Sequence, residues 1–252
     1  MKEIIMSFKK VFFAVAVIGL AVVSCKKEEV SKNIVLDVAS KQYDMLYDSI
    51  QAKKGDVNYI PRSIREGSIR YVSSYDWTSG FYAGSLWYLY DLTGESRWKD
   101  RATEYTIKMD SVQYYSGNHD IGFMMEGSYG KAIQFTGNKK YESVIVQSAK
   151  SLIKRFEPKA GIIRSWDVIA HYEEGMWECP VIIDNMMNLE LLFHATKISG
   201  DSIYANVAIS HANNTLENHF RSDNSSYHVV DYDAETGAVL QKTTHQGFAD
   251  ES

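Results

Sequence analysis

The chain has 252 residues, with 27 Lys and Arg against 32 Asp and Glu and a formal charge of −5. With no basic run longer than pairs such as Lys139-Lys140, that balance excludes a nucleic-acid surface. Three prolines beside 17 Tyr and 5 Trp suit a helical protein whose aromatics either line a cavity or fill a core, in one large domain or two small ones.

Lys9-Lys10 precede an apolar run from Val11 to Val23 that ends in Ser24-Cys25. A basic patch, a short apolar core and a small residue at the cut make the pattern of an export signal. The run is short of the about 20 apolar residues that span a bilayer. Val22-Val23-Ser24-Cys25 resembles a bacterial lipoprotein signal over residues 1–25, which implies cleavage just before Cys25, its lipidation as the new N-terminus, and a charged tether over residues 26–32. Met1 and Met6 are both possible starts, and Met6 gives the more compact signal. An uncleaved anchor is the alternative. Both place the domain, residues 33–252, in the bacterial cell envelope, at the periplasm or outer membrane, touching a membrane only through its anchor. A lipidated Cys25 leaves Cys179 as the remaining thiol, so neither an internal disulfide nor a Cys-based metal site is expected.

The first predicted helix is Asn33–Lys54, with Ile34, Val38, Tyr43 (or Met45-Leu46) and Ile50 along one stripe and Gly55 as its stop. Val57 to Ser74, with Pro61, Gly67 and alternating apolar residues, reads as extended or loop. Helices are then predicted over Asp76–Thr93, Ser96–Val112, Ile121–Thr136, Lys140–Phe156, Val181–Ser199 and Ser202–Phe220. Thr93-Gly94-Glu95, Thr136-Gly137-Asn138 and Ser199-Gly200-Asp201 share one pattern: a hydroxyl residue and a Gly end an apolar helix, polar residues follow, and Trp98, Tyr141 or Tyr204 stands four after the Gly. The glycine suits a left-handed C-terminal position and the next polar residue can cap the following helix. The pattern predicts an array of helical hairpins, alternating inner apolar helices such as the one holding Phe81 to Tyr90 with outer amphipathic ones such as Arg97 to Asp110. Pro158 to Cys179 is an insertion rich in Gly and Trp. Tyr227–Tyr232 and Ala238–Thr243 predict a small β-hairpin near the C-terminus.

Val181 to Phe193 is apolar on nearly every face and reads as a buried helix, with Pro180 at its first position. It carries one acid, Asp184, with Asn188 four residues on and on the same face. A buried carboxylate is costly unless paired, hydrogen-bonded or used. Asp184 can be a structural acid at a helix N-terminus, or one of a working pair with Asp120 in His119-Asp120-Ile121-Gly122-Phe123. His119 and Asp120 lack the tight spacing of metal ligands, so no metal and no cofactor is expected.

Six stretches in chain order, Trp77-Thr78-Ser79-Gly80-Phe81-Tyr82-Ala83-Gly84, His119 to Phe123, Arg164-Ser165-Trp166, Ile183 to Asn188, Tyr227-His228-Val229 and Thr244-His245-Gln246-Gly247, are similar to the unsaturated glucuronyl hydrolases of glycoside hydrolase family 88. The resemblance implies an all-α (α/α)6 barrel. It also implies hydration of the C4–C5 double bond in the unsaturated uronic acid that polysaccharide lyases leave at a non-reducing end. On that resemblance Asp184 is the general acid/base and Asp120 the second essential acid. His119, His228 and Gln246 are polar pocket residues, and Trp77 and Trp166 are aromatic walls. Taken singly, Trp77 and Trp166 also suit a core, and His228 a hydrogen-bonded structural histidine. Met186, Met187, Trp77 and Trp166 are expected to desolvate Asp184.

The implied partners are unsaturated uronic-acid oligosaccharides, from glycosaminoglycans or other uronans. Members of the family continue past His245-Gln246-Gly247 with further helices. About seven of twelve helices are therefore expected here, in an open ring that exposes Asp76–Thr93 and is inactive alone, the full-length parent being a monomeric enzyme. The alternatives are a helical surface lipoprotein that binds glycans without cleaving them, or a member of the neighbouring unsaturated rhamnogalacturonyl hydrolases.

Overall fold

The computed structural model describes residues 33–53, 60–167, 169–171 and 175–246. Residues 1–32, with the expected signal, Cys25 and tether, lie outside them. The chain divides into two units, Met1–Gly55 and Asp56–Ser252. In the first, a helix spans residues 33–51 (α1). Its less exposed stripe runs through Leu36, Ala39, Tyr43, Leu46 and Ile50, whereas Ile34 and Val38 are more than half exposed, so the expected stripe was out of phase at its start. No helix among the described residues is long and apolar enough to cross a membrane.

The second unit opens with a hairpin, β1 (Ile60–Arg65) and β2 (Ser68–Val72). Its two-residue turn, Glu66-Gly67, has both φ angles positive (51° and 73°), the primed geometry that matches strand twist. Helical pairs follow: α2 (Ser79–Thr93) with α3 (Ser96–Ile107), then α4 (Ile121–Met125) running through a π-helical segment, Glu126–Gly130, into α5 (Lys131–Thr136), then α6 (Glu142–Leu152), α7 (Leu189–Ser199) and α8 (Ser202–Asn218). With α4 and α5 counted as one interrupted helix, the described residues hold seven. α2 packs on α3, α4 and α5, α6 on α4 and α7, and α8 on α7. Thus α2, α4–α5 and α7 form an inner layer and α3, α6 and α8 an outer one.

The three repeated turns close as the sequence predicts. Gly94, Gly137 and Gly200 have φ of 71°, 66° and 74°. In each, the hydroxyl residue before the glycine donates back one turn: Thr93 Oγ1 to Leu89 O (2.6 Å), Thr136 Oγ1 to Ala132 O (2.5 Å), Ser199 Oγ to Ala195 O (2.7 Å). The same oxygen accepts the N–H of the residue after the glycine, at 3.2, 3.1 and 3.2 Å. One hydroxyl thus satisfies a group on each side of the break. Asn138 and Asp201 cap the next helix, but Glu95 makes no side-chain cap.

α2 is inner but not buried all round. Tyr82, Ala83, Leu86, Trp87 and Leu89 are buried, while Phe81, Tyr88 and Leu92 stand about half exposed along one stripe. Trp87 Nε1 donates to Thr106 Oγ1 of α3 (2.9 Å). Gly80 and Gly84 bring the α2 backbone against residues 124–127. A Cβ at Gly80 would lie 2.3 Å from Met124 O, and one at Gly84 2.8 Å from Gly127 O.

The predicted helix over Val181–Ser199 is corrected at its start. Pro180–Ile182 is a strand, β7, which pairs with β8 (Val229–Tyr232), itself paired with β9 (Val239–Thr243). Proline is tolerated as the first residue of a strand, and β-branched Val181 and Ile182 suit a sheet buried on both faces. Val181 and Val230 pack with Ala160, Ile162, Cys179 and Tyr232, while Ile182 and Val229 pack with Trp177 and the half-buried Trp166. The insertion forms two small hairpins, β3 (Phe156–Glu157) with β4 (Ile162–Ile163) and β5 (Ile169–His171) with β6 (Gly175–Trp177).

Candidate active site

From β7 the chain enters a 3-10 turn, Ile183–Asn188, before α7 begins. In a 3-10 helix side chains three apart eclipse, so Asn188 pairs with Asn185, Nδ2 to Oδ1 at 3.0 Å, and not with Asp184 as an α-helix would require. Asn185 and Asn188 are both fully buried, whereas the Asp184 side chain is 42% exposed.

Asp120 comes to the same place from the N-terminal end of α4. The backbone makes the meeting: His119 N–H donates to Ser165 O (3.2 Å), Ser165 N–H to Pro180 O (2.8 Å) and Ile183 N–H to His228 O (2.9 Å). This ladder joins the 118–120 loop, the Arg164-Ser165-Trp166 stretch, β7 and β8. Its product is a trio. His119 Nε2 lies 3.2 Å from Asp120 Oδ1 and 3.9 Å from Asp184 Oδ1. Asp120 is nearly buried and His119 has no exposed surface.

Burial governs the electrostatics. It pushes His119 down to about 3, so the imidazole is neutral. Asp120 is raised to about 7 by burial first and by the Asp184 charge second. Asp184 is raised to about 6 by burial. A position at a helix N-terminus favours an anion by about 0.3–1 kcal/mol, yet both carboxyls are raised, so desolvation wins. Two acids this close titrate as a pair, and near neutral pH they share a proton.

Aromatic rings flank the trio. On one side Trp77, 47% exposed, stands edge-on to Phe81 and Phe123, centroids 6.1 and 6.4 Å away, with the Arg62 guanidinium 5.6 Å above it. On the other, Trp166 stacks on Trp177 (6.3 Å) and lies 6.5 Å from the His119 ring and 5.2 Å from that of His245. His228 Nδ1 accepts the His245 N–H (3.1 Å).

No family model matches the chain. An unsaturated glucuronyl hydrolase of Formosa agariphila is 43% identical over 248 residues, 95% of this chain and 61% of that protein. An unsaturated chondroitin disaccharide hydrolase of Streptococcus agalactiae is 31% identical over 70% of this chain and 44% of its own. The crystal structure of an unsaturated glucuronyl hydrolase specific for heparin superposes with a TM-score of 0.76 at 41% identity, over 86% of this chain and 57% of that one. The chain belongs to the unsaturated glucuronyl hydrolase family. It spans less than two thirds of the length of these relatives, and it shares the α/α-barrel fold of the unsaturated glucuronyl hydrolases.

Against the family pattern, the structure brings Asp184, Asp120 and His119 together, with Trp166 and, through His245, His228 beside them. Trp77 is not a core aromatic; it is 47% exposed and meets Phe123 edge-on. Gln246 is exposed, and its backbone N–H bonds to Thr244 Oγ1 (3.0 Å); its side chain is not among those described around the acids. Met186 and Met187 are 39% and 49% exposed, so the expectation that they desolvate Asp184 is corrected: the 3-10 turn faces both asparagines inward and both methionines out. Ser165, Asn185, Phe123 and His245 were not singled out for roles in the sequence, although each lies within one of the six stretches. His119, Asp120 and Asp184 each offer one ligand atom, all within 4.8 Å, so the trio could hold a cation, a proximity that sequence spacing hid.

The raised Asp120 has a measurable consequence for stability. Its native state keeps a proton that the unfolded chain releases above the usual 3.8, so stability falls as pH rises from about 4 to about 7. Asp120→Asn is expected to raise stability by about 2 kcal/mol at pH 8 and to leave it unchanged at pH 4. Thermal melts of both proteins at the two pH values check this; a variant less stable at pH 8 would show that the carboxylate is well solvated.

Proposed function

We propose that the whole protein, and not this span of chain by itself, removes the 4,5-unsaturated uronic acid from the non-reducing end of lyase-generated oligosaccharides. Asp184 gives a proton to C4 and takes one from the water whose oxygen bonds to C5, so H and OH add across the double bond and the acid regains its proton. The hydrated sugar rearranges and its glycosidic bond breaks. Asp120 holds substrate or water. Trp77 and Trp166 offer faces to the sugar rings, and His228 and Gln246 supply polar contacts. The observation that carries this reading is the convergence of two carboxyl groups with raised pKa on one buried neutral imidazole beside Trp166. The names of the relatives support uronic-acid disaccharides as the substrate class.

The same reading places residues 1–25 as an export signal and Cys25 as a lipid anchor in the cell envelope, with the enzyme working as a monomer. Incubation of the whole protein with an unsaturated disaccharide and with its saturated counterpart tests the chemistry. Cleavage of the unsaturated sugar alone, with loss of its double-bond absorbance, is the expected result. Equal cleavage of both would mean ordinary glycosidase chemistry, and tight binding without cleavage would mean a glycan receptor.

A further inference from the structure

Behind the two acids lies a fully buried set of side chains whose donors and acceptors can be assigned one by one. Phe123 N–H donates to Asn188 Oδ1 (3.0 Å), which fixes the Asn188 amide with its NH2 turned inward. That NH2 donates to Asn185 Oδ1 (3.0 Å) and faces His119 Nδ1 (3.3 Å). Asn185 Nδ2 is engaged by Ile163 O (2.6 Å), which confirms its Oδ1 as the acceptor. Ser165 Oγ accepts Ile182 N–H (3.0 Å) and can turn its own proton toward His119 Nδ1 (3.4 Å), which the Asn188 NH2 already faces as a donor. Nδ1 therefore meets a donor, and the single proton of a neutral ring must sit on Nε2. His119, Ser165, Asn185 and Asn188 are all 0% exposed, so water cannot substitute for any of them. Gly122 belongs to the same arrangement: a Cβ there would lie 2.3 Å from Asn188 Oδ1.

We infer that Asn188 and Ser165 are positioning residues that hold His119 as its Nε2–H tautomer, so that the imidazole shows Asp120 and Asp184 a hydrogen-bond donor and not a lone pair. Among the described residues Nε2 forms no hydrogen bond, but it lies nearer Asp120 (3.2 Å) than Asp184 (3.9 Å), so its proton lowers Asp120 more than Asp184 and acts against the burial that raises Asp120. Besides these two acids, burial first, then Asn185, Arg155 and His211 bear on the ring; burial, Arg155 and His211 oppose a second proton on it and the Asn185 side chain favours one, with burial the largest. A protonated Nε2 also has no lone pair for a cation between the acids. The catalytic meaning of this tautomer rests on the reading above; the tautomer itself does not.

Nitrogen-15 spectra of histidine-labelled protein test it, with His119 assigned by the signal lost in His119→Gln. Wild type should show Nε2 protonated and Nδ1 bare. In Asn188→Asp with Ser165→Ala, the carboxylate still accepts Phe123 N–H but cannot donate to the ring, and the proton should move to Nδ1. The inference is overturned by a protonated Nδ1 in wild type, which decides the matter even if the variant does not fold, or by an unchanged tautomer in a folded variant. In the same variant kcat should fall by about 100-fold with KM little changed, and the acid limb of the rate profile should move to higher pH as Asp120 loses its donor. Nε2–H in a protein that cleaves nothing defeats the reading of function and leaves the tautomer standing; Nδ1–H in a cleaving protein does the reverse.

Discussion

Asp184→Asn is expected to lower kcat on an unsaturated disaccharide by about 10³, the usual worth of a positioned general acid and base, with the fold intact. The amide matches the carboxyl in size, and among the described residues Asp184 Oδ1 has no hydrogen bond to lose. Its side chain is 42% exposed, so the replacement meets water as well as protein. The amide cannot deliver a proton to C4 or take one from water, so the loss belongs in kcat, with KM nearly unchanged. Initial rates from the decay of double-bond absorbance, together with a melting curve, separate the two effects. A variant that melts normally and keeps more than about a tenth of the rate would remove Asp184 from the chemistry.

The largest expected effect on stability belongs to Gly80→Ala. The new methyl would lie 2.3 Å from Met124 O and 2.7 Å from Met124 Cα. Both are backbone atoms of the inner layer and neither can swing aside, so α2 and α4 must part. A cost of about 3 kcal/mol, or roughly 8 °C in melting temperature, is expected. Gly94→Ala is the useful comparison. Nothing lies within 4 Å of its Cβ position, and only the positive φ of 71° opposes the side chain, at about 1–2 kcal/mol. Equal melting temperatures for the two variants would show that the inner helices can separate freely. Activity should also fall in Gly80→Ala, because α4 positions Asp120 and Phe123.

The helical hairpins were legible because their signals are local. A hydroxyl residue, a glycine and an aromatic four places on determine each turn, and Trp98 and Tyr204 are buried as that pattern requires. The two acids were legible because carboxylates among apolar residues are rare. What surrounds Asp184 was not. Val181-Ile182 fits a buried helix as well as a buried strand, and only β8, which pairs with it, decides for the strand. That choice moves the helix start past Asn188 and reverses which side chains point inward. Asn185 and Ser165 gave no separate signal, since a buried amide or hydroxyl has meaning only once its partners are placed. The π-helical segment likewise leaves no periodic trace in so short a stretch.

Each hydroxyl–glycine turn is stitched by bonds that reach back four residues and forward two. The Phe123–Asn188 bond, by contrast, crosses 65 residues, and the side-chain contacts at His119 Nδ1 cross 46 and 69. Loop closure of that span costs more entropy than any single turn. The scaffold is therefore expected to assemble pair by pair as the chain grows, while its chemistry waits for one late docking event. A protein halted before that event would have its helices and no means of moving a proton.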